Sequence, residues 1–257
     1  MSRRYPACYA TSSRVNRLVT QPAVGRTAPF RHPGRCVEVV AWSCQRTVAV
    51  LVQRHTDAMS VQRTSSSPVT VRPATEFDDV AAVLGPKHPD ANVCWCLSYR
   101  ISGAENQQLR GPARGDRVRA LCAERTPPGV LAYDAAGEVV GWAAIHPRAD
   151  TTFARNRRIP HVDDLPVWSL WCVRVRPGHR KQGITSPLIA GAVDFARDSG
   201  APVVESYPVD NNGERVDLTM AYVGTRMMFE RAGFRKVADT TSVLNGFPRV
   251  LMRLDLR

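Results

Sequence analysis

The sequence predicts a mixed α/β domain, in which helices cover the faces of a central, mostly antiparallel sheet. Strand-like and helix-like segments alternate along the chain, and this alternation is typical of the class. The segment 167–175 is apolar almost throughout, which indicates a central strand buried on both faces. Near the end, segments 235–243 and 248–255 flank Asn245-Gly246, a pair that favours a tight hairpin turn.

The predicted order of elements is β-α-α-β-β-β-α-β-α-β-β. Glycine and proline set several boundaries, since Gly85-Pro86 ends the first helix and Gly233 ends the last. The predicted bounds are, in chain order, a strand at 69–72, a helix at 75–84, a helix at 116–124, strands at 130–133, 138–146 and 167–175, a helix at 184–199, a strand at 202–206, a helix at 222–232 and the two final strands.

Charge divides the chain into two parts. The 257 residues carry a formal net charge of +12, and residues 1–66 contribute +8 of it through ten Arg and two acids. Residues 1–66 also lack sustained periodicity, which predicts a disordered or spurious Arg-rich extension before a single domain at 67–257. A true start at Met59 would make the extension spurious, and an organellar transit peptide is the alternative. The remaining +4 and the lack of a basic helix predict no nucleic-acid binding by the domain.

The cysteines and the hydropathy predict a cytoplasmic protein without a metal. Seven cysteines form an odd set with no framework spacing, which favours a reducing compartment. Cys94 and Cys96 are separated by one residue, whereas zinc and redox motifs have two, so buried free thiols are favoured over a metal site. No run approaches the roughly 20 apolar residues that a membrane span needs, so no membrane partner is expected.

The segment 176–187 predicts an anion-binding site. A buried strand runs into a glycine-containing loop, and Pro187 fits the first turn of the following helix, so the helix begins near Thr185 or Ser186. The first N–H groups of a helix have no internal partner and carry the positive end of its dipole. Gly183 lets the backbone approach a ligand without a Cβ in the way. The turn is therefore suited to a phosphate or pyrophosphate.

Two ligand classes could use this turn, a nucleotide triphosphate and coenzyme A. Gly178 and Gly183 have the spacing of the two glycines of a P-loop, and Thr185 stands in its hydroxyl position. However, Ile184 occupies the position where a P-loop has its lysine. The sequence therefore favours coenzyme A.

The segment resembles the acetyl-CoA motif of the GCN5-related N-acetyltransferase (GNAT) family, Arg/Gln-x-x-Gly-x-Gly/Ala after a Val-rich strand and a proline. Arg180, Gly183 and Thr185 occupy its key positions, although Thr185 replaces the usual small residue. The segment 229–234 resembles the closing helix and Gly-Phe pair of the family. The resemblance covers about residues 69–256.

This resemblance implies an N-acetyltransferase that moves an acetyl group from acetyl-CoA, its cosubstrate, to a primary amine by direct attack in a ternary complex. The amine would belong to a small molecule, a peptide or a protein, and the enzyme would be a monomer or a homodimer. Pantetheine would enter a gap between the central strand and strand 202–206, and backbone N–H groups would hold the pyrophosphate. The implied cosubstrate-binding residues are Cys172, Val173, Arg174, Val175, Arg180, Lys181, Gln182, Gly183, Ile184, Thr185 and Ser186.

The resemblance fails at the proton donor. Many relatives protonate the leaving thiolate with a Tyr at the position of Phe229, which has no proton to give. Tyr222, predicted two turns earlier on the same helix, and Tyr207, just after strand 202–206, are the candidate substitutes. A CoA thiolate has a pKa low enough that no acid is required, which is a third possibility. The missing Tyr also keeps open a non-catalytic acyl-CoA-binding regulatory module as the alternative function.

A general base is expected as well, because the amine must be neutral to attack. The candidates are Glu205 on strand 202–206, Asp163 and Asp164 before the central strand, and His146 at the end of strand 138–146. Cys172 raises the alternative of a covalent acyl-enzyme, although a cysteine in a buried strand is more often a packing residue.

Overall fold

The structure is a computed structural model that describes residues 69–88, 90–91, 95–217 and 221–257. The predicted extension 1–66 and Cys94 lie outside the described residues. Within these ranges, no helix has the length and apolar character needed to cross a membrane, and no group of three or more His, Cys, Asp or Glu side chains could hold a metal ion.

The described chain folds into seven strands and five α-helices. The strands are β1 (Thr70–Pro73), β2 (Gly129–Tyr133), β3 (Val139–Pro147), β4 (Trp168–Val175), β5 (Val203–Ser206), β6 (Arg235–Leu244) and β7 (Phe247–Asp255). The helices are α1 (Phe77–Leu84), α2 (Gly103–Gln108), α3 (Pro112–Cys122), α4 (Thr185–Asp198) and α5 (Arg226–Arg231).

All seven strands form one sheet in the order β1-β2-β3-β4-β5-β7-β6. Neighbouring strands are antiparallel except for β4 and β5, which are parallel and are joined through α4. The predicted class, a mixed and mostly antiparallel sheet flanked by helices, is confirmed. The predicted element order lacks α2, whose start the sequence did indicate: Ser102 caps it by accepting a hydrogen bond from the N–H of Glu105, which is half of a capping box.

Helices cover both faces of the sheet. One apolar cluster includes residues of α1 and α3, and a second includes residues of α4 and α5. Gly191 allows α4 to lie close to β1, because a Cβ at this position would come within 2.5 Å of Val71. The N-terminus of α4 lies near the C-terminal end of the central strand, β4, since Thr185 and Val175 line one cavity.

The last two strands form the predicted hairpin. β6 ends at Leu244 and β7 begins at Phe247, so Asn245 and Gly246 alone make the turn. Both have positive φ, 51° and 82°, as a type I′ turn requires.

Candidate active site

A gap opens in the sheet between β4 and β5. The two strands pair from Trp168 with Val204 to Leu170 with Ser206, and the described pairing goes no further. On the other side of β4, Ala144 pairs with Cys172 and Ile145 with Leu170, so Trp171 is an extra residue in a β-bulge. Because a bulge bends the strand that carries it, the end of β4 diverges from β5 and keeps one backbone edge open.

The predicted anion-binding turn adjoins this gap. α4 begins at Thr185, as the position of Pro187 predicted. Ile184, the N-cap residue that precedes α4, makes no side-chain capping hydrogen bond within the described chain, so the first N–H groups of α4 point outward from the helix start. Lys181 and Gly183 have positive φ, 63° and 79°. The tight curl of the loop therefore depends on Gly183, where such a conformation is free of Cβ strain.

A cavity of about 190 Å³ lies between the open edge of β4 and this turn. The charged side chains in its lining are cations, namely Arg174, Arg180 and Lys181, and this charge suits an anionic ligand. The lining consists of Val173, Arg174, Val175, Arg180, Lys181, Thr185, Tyr222 and Met228. Six of the eleven residues predicted to bind the cosubstrate are thus brought together around one cavity.

The other predicted cosubstrate-binding residues surround this lining. Gln182, Gly183 and Ser186 are exposed on the turn, and the side-chain amide of Gln182 donates to the Gly178 carbonyl at 3.2 Å. Cys172 is buried on β4 with a free thiol, and Ile184 packs into the apolar cluster under α4. A larger open groove of about 780 Å³ lies elsewhere, between β1, α1 and the β2–β3 turn, where Tyr133 donates to Asp79.

Tyr222 reaches the cavity from a position that the sequence analysis misplaced. The predicted helix 222–232 is wrong: Ala221–Val223 form one 3-10 turn, and α5 begins only at Arg226. Gly224 has a φ of 75° and separates the two, since this conformation cannot continue a right-handed helix. Tyr222 is therefore held by the 3-10 turn rather than by α5.

Phe229 faces away from the cavity. It is fully buried on α5 and packs edge-on against Phe234, with 5.2 Å between the ring centroids. Met228, which the sequence analysis did not single out, lines the cavity in its place. Among the residues that line the cavity, the phenolic hydroxyl is accordingly that of Tyr222.

The structure brings Glu205 and Tyr207 together, but in a buried network beside the gap rather than in the cavity lining. Glu205 is 1% exposed, and its Oε2 accepts hydrogen bonds from Arg148 Nη1 and from the Tyr207 hydroxyl, both at 2.9 Å. The Tyr207 hydroxyl also lies 2.9 Å from Ser169 Oγ. Burial, together with the adjacent Glu205 carboxylate, raises the pKa of Tyr207. These contacts are typical of a structural ion pair.

Asp163 and Asp164 lie on the surface. Asp163 forms a two-pronged ion pair with Arg253, with N–O distances of 2.7 and 3.0 Å, and this guanidinium lowers the pKa of the Asp163 carboxyl. Neither residue is among the lining of the cavity.

His146 is buried at the end of β3, and its Nε2 lies 3.3 Å from the Thr126 carbonyl. Burial, followed by the charge of Arg100, lowers the pKa of His146 below its ordinary value. The unfolded chain then binds more protons than the native chain just below the ordinary pKa of about 6.5. The free energy of unfolding should therefore fall as the pH is lowered through 6.5.

Urea unfolding at pH 7.5, 6.5 and 5.5 measures this dependence. We expect His146→Gln to lose less stability than the unsubstituted protein between pH 7.5 and 5.5. Equal losses in both proteins would show that His146 is not the group responsible.

Two residues near Tyr222 escaped the sequence analysis. Tyr99 stacks on Phe153 with 4.4 Å between the ring centroids, and its hydroxyl accepts a hydrogen bond from Arg249 Nη1 at 2.9 Å. Burial and then Tyr99 raise the pKa of Tyr222, whereas the positive charge of Arg249 acts in the opposite direction. Tyr99 lies in a loop without a recognisable motif, and Arg249 reads as an ordinary strand residue, so no local pattern could have identified either.

The mixed sheet, its open strand edge and the cationic cavity agree with the acyltransferase class that the family model gives. Residues 98–218 match the model of the acetyltransferase (GNAT) family, and this segment belongs to that family. The general reaction of the domain is acetyl transfer.

Several solved structures match most of this chain at low sequence identity. A GCN5-related N-acetyltransferase from Kribbella flavida is 19% identical, with 73% of this chain and 98% of that chain covered and a TM-score of 0.43. The structure of yncA from Salmonella typhimurium with its cofactor acetyl-CoA is 18% identical and covers 74% and 94%, with a TM-score of 0.42. The acetyltransferase (GNAT family) from Bacillus anthracis is 10% identical and covers 74% and 96%, with a TM-score of 0.42. No curated protein matches in sequence, and the family assignment rests on the family model.

Proposed function

We propose that the chain is an N-acetyltransferase that transfers the acetyl group of acetyl-CoA to a primary amine by direct attack. The observation that carries the proposal is the end of the β4–β5 pairing at Leu170 and Ser206. The backbone edge of β4 beyond this point can pair with the amide groups of pantetheine, as an added strand would. The same edge lines the cavity that leads to the start of α4.

The charges of the site support an acyl donor with a pyrophosphate. Arg174, Arg180 and Lys181 attract the anion to the cavity mouth. The outward N–H groups at the start of α4 then bind its oxygens, with the helix dipole in the same direction. We assign the pyrophosphate to the turn 181–186 and the thioester to the gap, close to Tyr222.

The proposed reaction balances without a further reactant. The neutral amine attacks the thioester carbonyl, a backbone N–H of β4 stabilises the oxyanion, and the C–S bond breaks as the tetrahedral intermediate collapses. The thiolate takes a proton from the Tyr222 hydroxyl. The amine loses one proton to solvent, and the Tyr222 phenolate takes one back from solvent, so the products are the acetylated amine and the free thiol. Because the pKa of Tyr222 is raised by burial and by Tyr99, its hydroxyl is protonated at neutral pH and can donate.

Release of free thiol from acetyl-CoA tests the proposal directly. The full chain is incubated with acetyl-CoA and a panel of small amines and peptide N-termini, and both the thiol and the acetylated amine are quantified. We expect one acetylated amine for each thiol released, and a steady rate without a burst.

Two other outcomes would replace the proposal. A burst of thiol, with a stable acetyl group on the protein, would favour an acyl-enzyme on Cys172, which lies buried on β4. Tight acetyl-CoA binding with no turnover on any amine would favour a regulatory acyl-CoA-binding module, a function that the buried Phe229 leaves possible.

A further inference from the structure

Arg249, near the start of β7, is a buried cation with no acidic partner in the described part of the chain. Its residue exposure is 2%, and its Nη2 has no hydrogen-bond partner among the described residues. Within the same residues, its guanidinium forms no ion pair with an Asp or Glu carboxylate within 4.0 Å. A buried charge without a counter-charge costs several kcal/mol of stability. Something outside the described chain is therefore expected to balance it.

Between residues 69 and 257, the positions outside the described ranges are Pro89, residues 92–94 and residues 218–220, and none of these is Asp or Glu. The acids of the segment before residue 69 are Glu38 and Asp57. Arg148, which is 5% exposed, is a useful contrast because it has Glu205 at 2.9 Å. Within the described residues, a carboxylate thus balances Arg148, whereas the Nη2 of Arg249 has neither a carboxylate nor another hydrogen-bond partner.

The position of Arg249 relates this donor to the acetyl-transfer site. Its Nε donates to the Tyr207 carbonyl at 2.7 Å, and Tyr207 directly follows Ser206, where β5 leaves β4. Its Nη1 donates to the Tyr99 hydroxyl at 2.9 Å. These two bonds fix the guanidinium at the open end of the β4–β5 gap, on the sheet face that also carries Trp171 and Glu205.

Two further observations mark this end of the gap as a place for an anion. The charge of Arg249 acts on Tyr222, which lines the cavity assigned to the cosubstrate, so the guanidinium is within electrostatic reach of the Tyr222 hydroxyl. The indole N–H of Trp171 is buried and also has no partner among the described residues. Trp171 and Tyr99 both pack against Phe153, so the two vacant donors flank one aromatic cluster.

We propose that Arg249 recognises a carboxylate on the acceptor, so that the substrate class is an amine that also bears a carboxylate. The carboxylate binds the vacant Nη2, and the amine then lies toward the gap, where the thioester is assigned. Tyr99 and Tyr222 form the wall between the two ends of the acceptor. The proposal rests on the proposed acetyl transfer and adds the chemistry of its acceptor.

Matched pairs of acceptors test the proposal. The full chain is assayed with α-, β- and γ-amino acids and with the corresponding carboxamides, which keep the amine and the shape but lose the charge. A charge-assisted bond to a buried guanidinium corresponds to about a 10- to 100-fold preference in kcat/KM. We expect this preference for the carboxylate in at least one pair.

Substitution of Arg249 assigns the preference to this residue. In Arg249→Gln, the ratio of kcat/KM for the carboxylate to kcat/KM for the carboxamide should fall to near one, and the affinity for acetyl-CoA should be unchanged. Arg249→Lys should keep part of this preference for the carboxylate. Arg235→Gln removes the same charge from an exposed position on β6, and it should keep the full ratio.

The outcomes separate this proposal from the proposed function. The carboxylate proposal would be overturned by equal kcat/KM values for carboxylates and carboxamides in the unsubstituted protein, and acetyl transfer would still stand. The γ-pair is the clearest comparison, because the distant amide hardly changes the pKa of the amine. A ratio unchanged in Arg249→Gln would also overturn the carboxylate proposal. If Arg249→Gln does not fold, the comparison of the γ-amino acid with its carboxamide in the unsubstituted protein still tests the carboxylate proposal. No turnover with any amine would instead overturn the proposed function.

Discussion

Gly183→Asp should abolish acetyl-CoA binding while the domain remains folded. Gly183 has a φ of 79° in the turn that precedes α4, where a Cβ adds strain and also occupies the space that the pyrophosphate needs. The new carboxylate would carry a negative charge into the place assigned to the pyrophosphate. We expect the dissociation constant for acetyl-CoA, measured by titration calorimetry, to rise by at least about 100-fold, or about 2.7 kcal/mol.

The matched control is Gly213→Asp. Gly213 has a φ of 84° and open space where its Cβ would stand, so the substitution adds the same charge and the same backbone strain away from the cavity. Gly213→Asp should bind acetyl-CoA normally. If Gly183→Asp also bound normally, the turn would not be the pyrophosphate site, and the assignment of residues 181–186 would have to be abandoned.

Much of the fold could be predicted because it depends on local chemistry. Asn245 and Gly246 adopt the positive φ values that a two-residue hairpin requires, and Pro187 places the start of α4 within a residue. Helix α2 was missed because its residues 103–108 carry no apolar stripe, and none of these residues is buried. The predicted helix 222–232 was wrong because Gly224 interrupts it, a break that an apolar stripe does not reveal.

Within the candidate site, too, the parts that are contiguous in sequence could be predicted and the parts that meet only in the folded chain could not. The turn 180–185 is contiguous in sequence, so its anion-binding chemistry could be predicted from the order of residues alone. The surroundings of Tyr222 could not, because Tyr99 and Arg249 are 150 residues apart and meet only in the folded chain. The burial of Glu205 depends likewise on Arg148, 57 residues away. Sequence could nominate Glu205 as a base but could not show that its carboxylate is enclosed.

Tyr222→Phe should lower kcat by about 100-fold, since a positioned general acid contributes about 10²- to 10⁴-fold and a thiolate is a comparatively good leaving group. The Michaelis constant for acetyl-CoA should change little, because the ring that lines the cavity is retained. The pKa of Tyr222 is raised, so the unsubstituted enzyme should keep its donor protonated across the neutral range. The ratio of the two rates, measured as thiol release at saturating substrates, should therefore be constant between pH 7 and pH 9.

Tyr207→Phe separates the two tyrosines that the sequence nominated as acids. Its hydroxyl is fully buried and bonded to Glu205 and Ser169, so removing it should cost about 1–3 kcal/mol of stability and leave kcat nearly unchanged. The opposite pattern, with kcat lost in Tyr207→Phe and kept in Tyr222→Phe, would place the proton donor in the buried network. Full activity in both variants would mean that the thiolate leaves without an acid. In that case Tyr222 only shapes the cavity, and the absence of a Tyr at position 229 does not lower kcat.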